Sequence, residues 1–449
     1  MKRIFLALAL LVPALAGAQD LSHPWTLQEC LEWALDHNLN VKQSELNVAQ
    51  REIQLNTSKN AYFPNVSGSA NESVNFGRGL TEDNTYTTGA TTTNTSFSIG
   101  AGMNLFDGMA RPNNVKLSRL NLDAAMADLE RVRDDIRVSV AKAYVQVLYD
   151  YDIVDVAKDQ LKLDQAQVER LQAMVENGKA SQAELSQQKA TLAQSDFTLV
   201  QAENNLRNAL LDLSQLLDFP NADGFTIVKP EIAVGDHLLA RPEDIYADAV
   251  EQRPGVKAEQ IRLNGSDLSI KIAKAGFSPT LSLSGGMGTS YYTNTRSLYP
   301  QDGFWQQLSH NFSPYVGLSL SVPIFDRFSA RNNVRTARLN RTLQQITLDK
   351  AKQSLYKEIQ QAHANALAAE AKYRSASEAA TASEDAFILA QAKYENGKAT
   401  VTEYNEARTR LAKARSDKAQ AACEYLFQSR LLDFYRGSAL ELYNGSKSV

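Results

Sequence analysis

Cysteine occurs only twice in this chain, at Cys30 and Cys423, so no disulfide framework holds it together. One bridge formed in an oxidising compartment and two free buried thiols both fit the pair. Histidine is nearly as scarce, with five residues. His23, Cys30 and His37 recur every seven residues, which on a helix separates neighbours by roughly 10 Å, too far to share one metal ion. His237, His310 and His363 have no carboxylate or thiol at ligand spacing. The GGMG at 285–288 lies in a strand pattern rather than at a strand-to-helix turn followed by lysine, which argues against a phosphate cradle. No nucleophile-elbow motif is present. No catalytic constellation, cofactor site or metal site is expected.

Excess positive charge is missing as well. Lys and Arg number 47 against 51 Asp and Glu, a net charge of −4 that argues against a nucleic-acid partner. Beyond residue 18 there is no uncharged apolar stretch of the roughly 20 residues a membrane-crossing helix needs. Residues 1–18, MKRIFLALALLVPALAGA, read as a cleaved secretion signal: Lys2 and Arg3, an apolar run from Ile4 to Leu15, then Ala16-Gly17-Ala18. Losing Lys2 and Arg3 makes the mature chain two charges more negative. No cysteine follows the small-residue site, so lipidation of the new N-terminus is not expected.

What the chain does contain is a duplication. ENGKA occurs at Glu176–Ala180 and again at Glu395–Ala399, 219 residues later. The same shift aligns Leu105-Phe106-Asp107 with Ile324-Phe325-Asp326, and Asn113-Asn114-Val115 with Asn332-Asn333-Val334. Upstream the shift is 215, aligning Val41-Lys42 with Val256-Lys257 and Pro64 with Pro279, so a length difference arises between Pro64 and Leu105. Each copy reads as a helix, two strands and two long helices. A first repeat covers 19–217, with a β-hairpin at 65–106 and a helical tip near 178. A linker covers 218–240. A second repeat covers 241–432, with a β-hairpin at 280–325 and a tip near 397, and a tail covers 433–449.

In SFSIGAGMNLF, Phe97, Ile99, Ala101, Met103 and Leu105 alternate with small or polar residues over about ten positions, the pattern of a tilted transmembrane strand. Val316, Leu318, Leu320 and Val322 repeat it. NVSGSANESVNF and TLSLSGGMGTSYY supply partner strands, while 77–94 and 293–311 read as exposed loops. A soluble sandwich with one wet face is the alternative. The near absence of charge and the Ser/Gly/Asn character of the second face favour a barrel lumen.

From Asn113 to Asn177 there is neither proline nor glycine, and apolar residues recur at steps of three and four, as in coiled coils. Gly178 and Gly397 close these rods as left-handed caps. Ser181 with Glu184, and Thr400 with Glu403, form capping boxes that restart a helix. ENGKA is thus predicted to be the tip of a helical hairpin, presenting Lys179 or Lys398. Four strands cannot close a barrel. Two chains would supply eight strands around a filled lumen, and three would supply twelve around an open one.

With these features the chain resembles the TolC family of outer-membrane efflux and secretion ducts. The resemblance rests on the duplicated plan, the FSIGAGMNLFDGMA and YVGLSLSVPIFDRF strand-to-helix junctions, and the ENGKA tips, and it covers nearly all of the mature chain. It implies an α+β membrane protein of a Gram-negative outer membrane: a homotrimer whose strands make a twelve-stranded transmembrane β-barrel above a periplasmic α-barrel. It implies partners in outer-membrane lipid, a periplasmic adaptor and an inner-membrane transporter, and a duct exporting small molecules or proteins. The linker and tail would pack around the α-barrel's waist. The tips would close the entrance and meet the adaptor, with Glu403 and Glu406 ringing the aperture. The first-tip counterpart of Glu406 is Gln187, so the extra acid belongs to the second hairpin alone; a solvated helix face is its plainer role. The basic stretch 407–420 reads as a solvated or inter-helix face, with adaptor contact as the sharper reading. The rival class is a secreted coiled-coil scaffold or adaptor without a channel.

Overall fold

A computed structural model describes residues 23–80, 83–219, 224–229 and 240–441. The signal segment, His237 and the last part of the tail lie outside the described residues. The chain divides into two compact units, one comprising 1–43, 131–252 and 354–449, the other 44–130 and 253–353.

The elements run α1 (Leu27–His37), α2 (Leu39–Asn60), β1 (Asn65–Leu80), β2 (Tyr86–Phe106), α3 (Ala110–Glu176), α4 (Gln182–Leu216), α5 (Pro242–Gln252), α6 (Pro254–Lys274), β3 (Thr280–Asn294), α7 (Phe304–His310), β4 (Ser313–Ser321), α8 (Ser329–Glu395) and α9 (Val401–Tyr435). α3 and α8 each have 67 residues, a length of about 100 Å at 1.5 Å per residue. Among the described residues no helix is long and apolar enough to cross a membrane.

Four expectations need correcting. Each copy opens with two helices rather than one. Asn38 interrupts the first pair, donating its side-chain amide to the Leu216 carbonyl, and Pro254, which favours a first helical turn, starts α6. Most of 77–94 is strand, not loop: a bulge between Gly77 and Arg78 shifts the register and lets the pairing continue to Leu80–Tyr86. The stretch 293–311 carries α7, while β4 ends at Ser321, short of the expected 325.

In the unit holding 44–130 and 253–353 the strands form one antiparallel sheet in the order β1-β2-β3-β4, so β1 and β4 are its edges. Opposed residues share a face. Ala101–Gly285, Met103–Leu283 and Phe106–Leu281 pair across β2 and β3, and Leu283–Leu318 and Leu281–Leu320 pair across β3 and β4. Around these pairs the face is apolar; farther along it carries threonines and Glu72, which is opposite Thr95. On the other face Ser69 pairs with Ser98, Ser98 with Gly288, Gly102 with Ser284, and Ser284 with Gly317. The turn between β2 and α3 needs Gly108, with φ +67, because a Cβ there would fall 2.5 Å from the Ser278 Cβ.

In the other unit, Val168, Leu171 and Leu185 pack α3 against α4. Trp25 stacks among His23, Trp33, Phe219 and Phe225, and Tyr144 Oη donates to the Val228 carbonyl, fastening linker residues 225–228 to the helices. Cys30 and Cys423 are separate, buried free thiols.

Candidate functional site

Two features stand out: the hairpin ends, and the small-residue face of the sheet. At the first end α3 stops in a Schellman arrangement. Gly178 has φ +68, its N–H donates to the Val175 carbonyl at 2.9 Å, and Lys179 N–H donates to Met174 at 2.8 Å. Ser181 Oγ then accepts from Glu184 N–H at 3.1 Å, while the Glu184 carboxylate accepts from Ser181 N–H at 3.1 Å. The second end repeats this. Gly397 has φ +67, Lys398 N–H donates to Lys393, and Thr400 and Glu403 form the reciprocal box. Lys179 and Lys398 are exposed.

Both box glutamates are therefore engaged in starting a helix. Glu406 has no capping duty. It lies exposed on α9, with Arg410 of the same helix 3.8 Å away.

Just inside these ends the two hairpins are tied together by side chains that sequence reasoning missed. Gln167 Nε2 donates to Tyr394 Oη at 2.5 Å, and the Arg170 guanidinium lies 5.3 Å from the centre of the same ring. Tyr394 stacks on Tyr404, which packs with Phe387, Leu411 and Leu163. Burial pushes the Tyr394 and Tyr404 phenols above their ordinary range. Asn405 donates to Gln188 Oε1 at 3.3 Å.

Deeper along the same seam, Asp164 of α3 is fully buried and ion-paired with Arg408 of α9, itself only 3% exposed. Asp164 also accepts from Gln188 Nε2 at 2.9 Å and Ser195 Oγ at 2.5 Å, so its lone pairs are used. Burial lowers Arg408 to about 10, still well above neutrality. Half of the signal lay in the sequence: Asp164 stands where the α3 heptad calls for a core residue, four before buried Val168, but nothing there names Arg408 as its partner. Shifting by 219 places Ser383 opposite Asp164, and Lys189 opposite Arg408, so the second copy lacks an acid of its own for Arg408.

The small face of the sheet bears glycine, serine and asparagine along most of its length. Two tyrosines are the bulky exceptions: Tyr315, its ring lying across Gly286, and Tyr292, opposite Asn94 nearer the other end of β3. Two of the histidines have aromatic or carboxylate neighbours: His37 stacks on Trp33 at 3.6 Å, and His310 meets Asp302 at 3.3 Å. Among the described residues no group of three or more His, Cys, Asp or Glu side chains is placed to hold a metal ion.

The family model described as "Outer membrane efflux protein" matches residues 30–218 and 245–438. Protein CyaE of Bordetella pertussis is 24% identical over 359 residues, 77% of this chain and 70% of its own length. Nodulation protein T of Rhizobium leguminosarum is 22% identical over 421 residues, 92% of this chain and 85% of its own. The crystal structure of the outer membrane protein VceC of Vibrio cholerae superposes with a TM-score of 0.73 at 18% identity, covering 92% of this chain and 97% of that one. With both halves of the duplication matched, the chain belongs to the outer membrane efflux protein family, and its place is the outer membrane of a Gram-negative bacterium.

Proposed function

We propose that three copies of this chain pool their strands into a twelve-stranded barrel across the outer membrane, with the helical hairpins extending into the periplasm as a passive export duct. One observation carries the reading: the sheet has an apolar face, a small polar face and two open edges, β1 and β4. In hydrocarbon each unpaired backbone group costs several kcal/mol, so the edges of a membrane-embedded sheet must pair with other strands. Eight strands would leave a lumen filled by side chains, whereas twelve leave a channel. Glycine and serine on the inner face suit the wider solution, since they take up little of its bore.

In this reading the duct performs no chemistry of its own. Energy comes from an inner-membrane transporter, joined through a periplasmic adaptor to the exposed hairpin tips around Gly178, Lys179, Ser181, Glu184, Gly397, Lys398 and Thr400. Glu403 and Glu406 ring the entrance. The ties from Gln167 to Tyr394 and from Asp164 to Arg408 hold the second hairpin against the first and so keep the aperture narrow. Either small molecules or proteins could traverse such a duct, the choice belonging to the transporter.

Single-channel recording in planar bilayers tests this. The purified protein should conduct with a preference for cations, because converging acidic side chains raise the local cation concentration. Glu406→Gln should shift the reversal potential in a salt gradient. An unchanged reversal potential would remove Glu406 from the entrance, and absence of any conductance would refute the duct.

A further inference from the structure

The strand-to-helix corner of the second copy differs from that of the first. After β2 the chain turns through Gly108 and Met109, both with φ +67. After β4 the equivalent pair is Arg327 and Phe328, with φ +56 and +63. Left-handed backbone crowds any Cβ, and two successive large side chains held that way are kept where the strain serves a purpose.

These side chains are displayed outward. Ile324 is 97% exposed and Phe325 72%, with Phe328 edge-on to Phe325 at 5.5 Å. β4 presents Leu318 and Leu320 on its apolar face, and just beyond its end Val322 and Ile324 are exposed as well. Below them lie four exposed arginines, Arg327, Arg331, Arg335 and Arg338, the last three on one side of the first turns of α8. None of the four side chains has an ion-pair or hydrogen-bond partner among the described residues; Arg331 sits 6.0 Å from the centre of the Phe328 ring. In the first copy the corner cation Arg111 is bound to Asp107 and to the Asn104 carbonyl, and lies over Tyr62. Arg331, in the first turn of α8, opposes the helix dipole, and four like charges so close repel one another unless an anion neutralises them.

We infer that this corner docks anionic glycerophospholipid headgroups of the periplasmic leaflet. The inference rests on the reading that the sheet crosses the outer membrane with the helices beneath it. Ile324, Phe325 and Phe328 enter the boundary between headgroups and acyl chains, where aromatic side chains concentrate. The arginines meet the phosphates, for which a planar guanidinium offers paired donors. Because the apolar residues lie beyond the end of β4's ladder and beside a cluster of cations, lipid with an anionic headgroup is the occupant that fits, not a second copy.

Native mass spectrometry tests the proposal, using the full-length protein extracted from bilayers of equal parts phosphatidylethanolamine and phosphatidylglycerol. The protein should retain phosphatidylglycerol preferentially. Replacing the four arginines by glutamine should weaken that preference by roughly fivefold per arginine, and added salt should weaken it further. Arg341→Gln, which removes a cation already paired with Asp267, should leave it unchanged. Equal retention of the two lipids, or an undiminished preference in the quadruple variant, overturns the proposal. So does efficient cross-linking of Phe328→Cys to another copy in the membrane. If the protein embeds and conducts but shows no lipid preference, only this inference fails; if it does not embed at all, the underlying reading fails.

Discussion

Asp164 and Arg408 meet as a buried ion pair between the two copies of the duplicated plan, the acid on α3 and the base on α9. Gln188 and Ser195 complete the carboxylate's hydrogen bonds, which is the condition for such a pair to survive desolvation. It fixes the register of one hairpin against the other close to the tips, where the proposed entrance lies.

Arg408→Met should therefore destabilise by about 3–5 kcal/mol, because it strands a buried carboxylate. Arg408→Met combined with Asp164→Leu should recover much of that loss. Thermal unfolding of the detergent-solubilised protein measures both. If the single variant is as stable as the parent, the pair does not lock the hairpins.

At the tips, Gly397→Ala forces a Cβ into left-handed backbone and should cost roughly 1–2 kcal/mol locally. Thr400→Ala removes a capping acceptor and should cost about 1 kcal/mol. Amide exchange should quicken around 396–404 in either variant and stay unchanged along the sheet. Uniform quickening throughout the chain would contradict a local role.

The two faces of the sheet should respond oppositely to charge. Leu318→Arg on the apolar face should cost about 2–4 kcal/mol in the membrane, where lipid cannot solvate it. Ser319→Arg, on the small face, should assemble normally and instead lower conductance by narrowing the bore. Assembly yield and single-channel current separate the two, and equal effects would refute the assignment of faces.

Burial pushes both thiols, Cys30 and Cys423, up to about 12. An acid whose folded pKa is raised contributes stability below its unfolded pKa, roughly 8.5 for cysteine, and loses it as pH rises toward the folded value. The parent should thus lose more stability between pH 9 and 12 than Cys30→Ala/Cys423→Ala. Identical slopes would show that the thiols are not protected.

Local rules made much of this legible beforehand. Gly178 and Gly397 mark the ends of α3 and α8, because few residues but glycine tolerate that backbone, and the Ser-x-x-Glu and Thr-x-x-Glu spacing restarts a helix by local bonds alone. Period-two alternation assigned Phe97, Ile99, Ala101 and Met103 to one face. The extension of β1 and β2 through 77–94 was hidden, since Thr, Asn and Gly there read as loop until a bulge and partner strand satisfy their backbone. The Asp164–Arg408 pair was hidden for another reason: its members are 244 residues apart, and only packing of one hairpin on the other reveals that they share a seam. Glu406 kept its exposed position, but with Arg410 beside it on α9.

Imaging of detergent-extracted particles tests the central claim most directly, since symmetry and strand number can be read from the density. The account predicts threefold particles in which β4 of each copy pairs with β1 of the next, closing twelve strands above a hollow helical shaft. Particles of a single chain, with the four-stranded sheet folded in on itself, would contradict it.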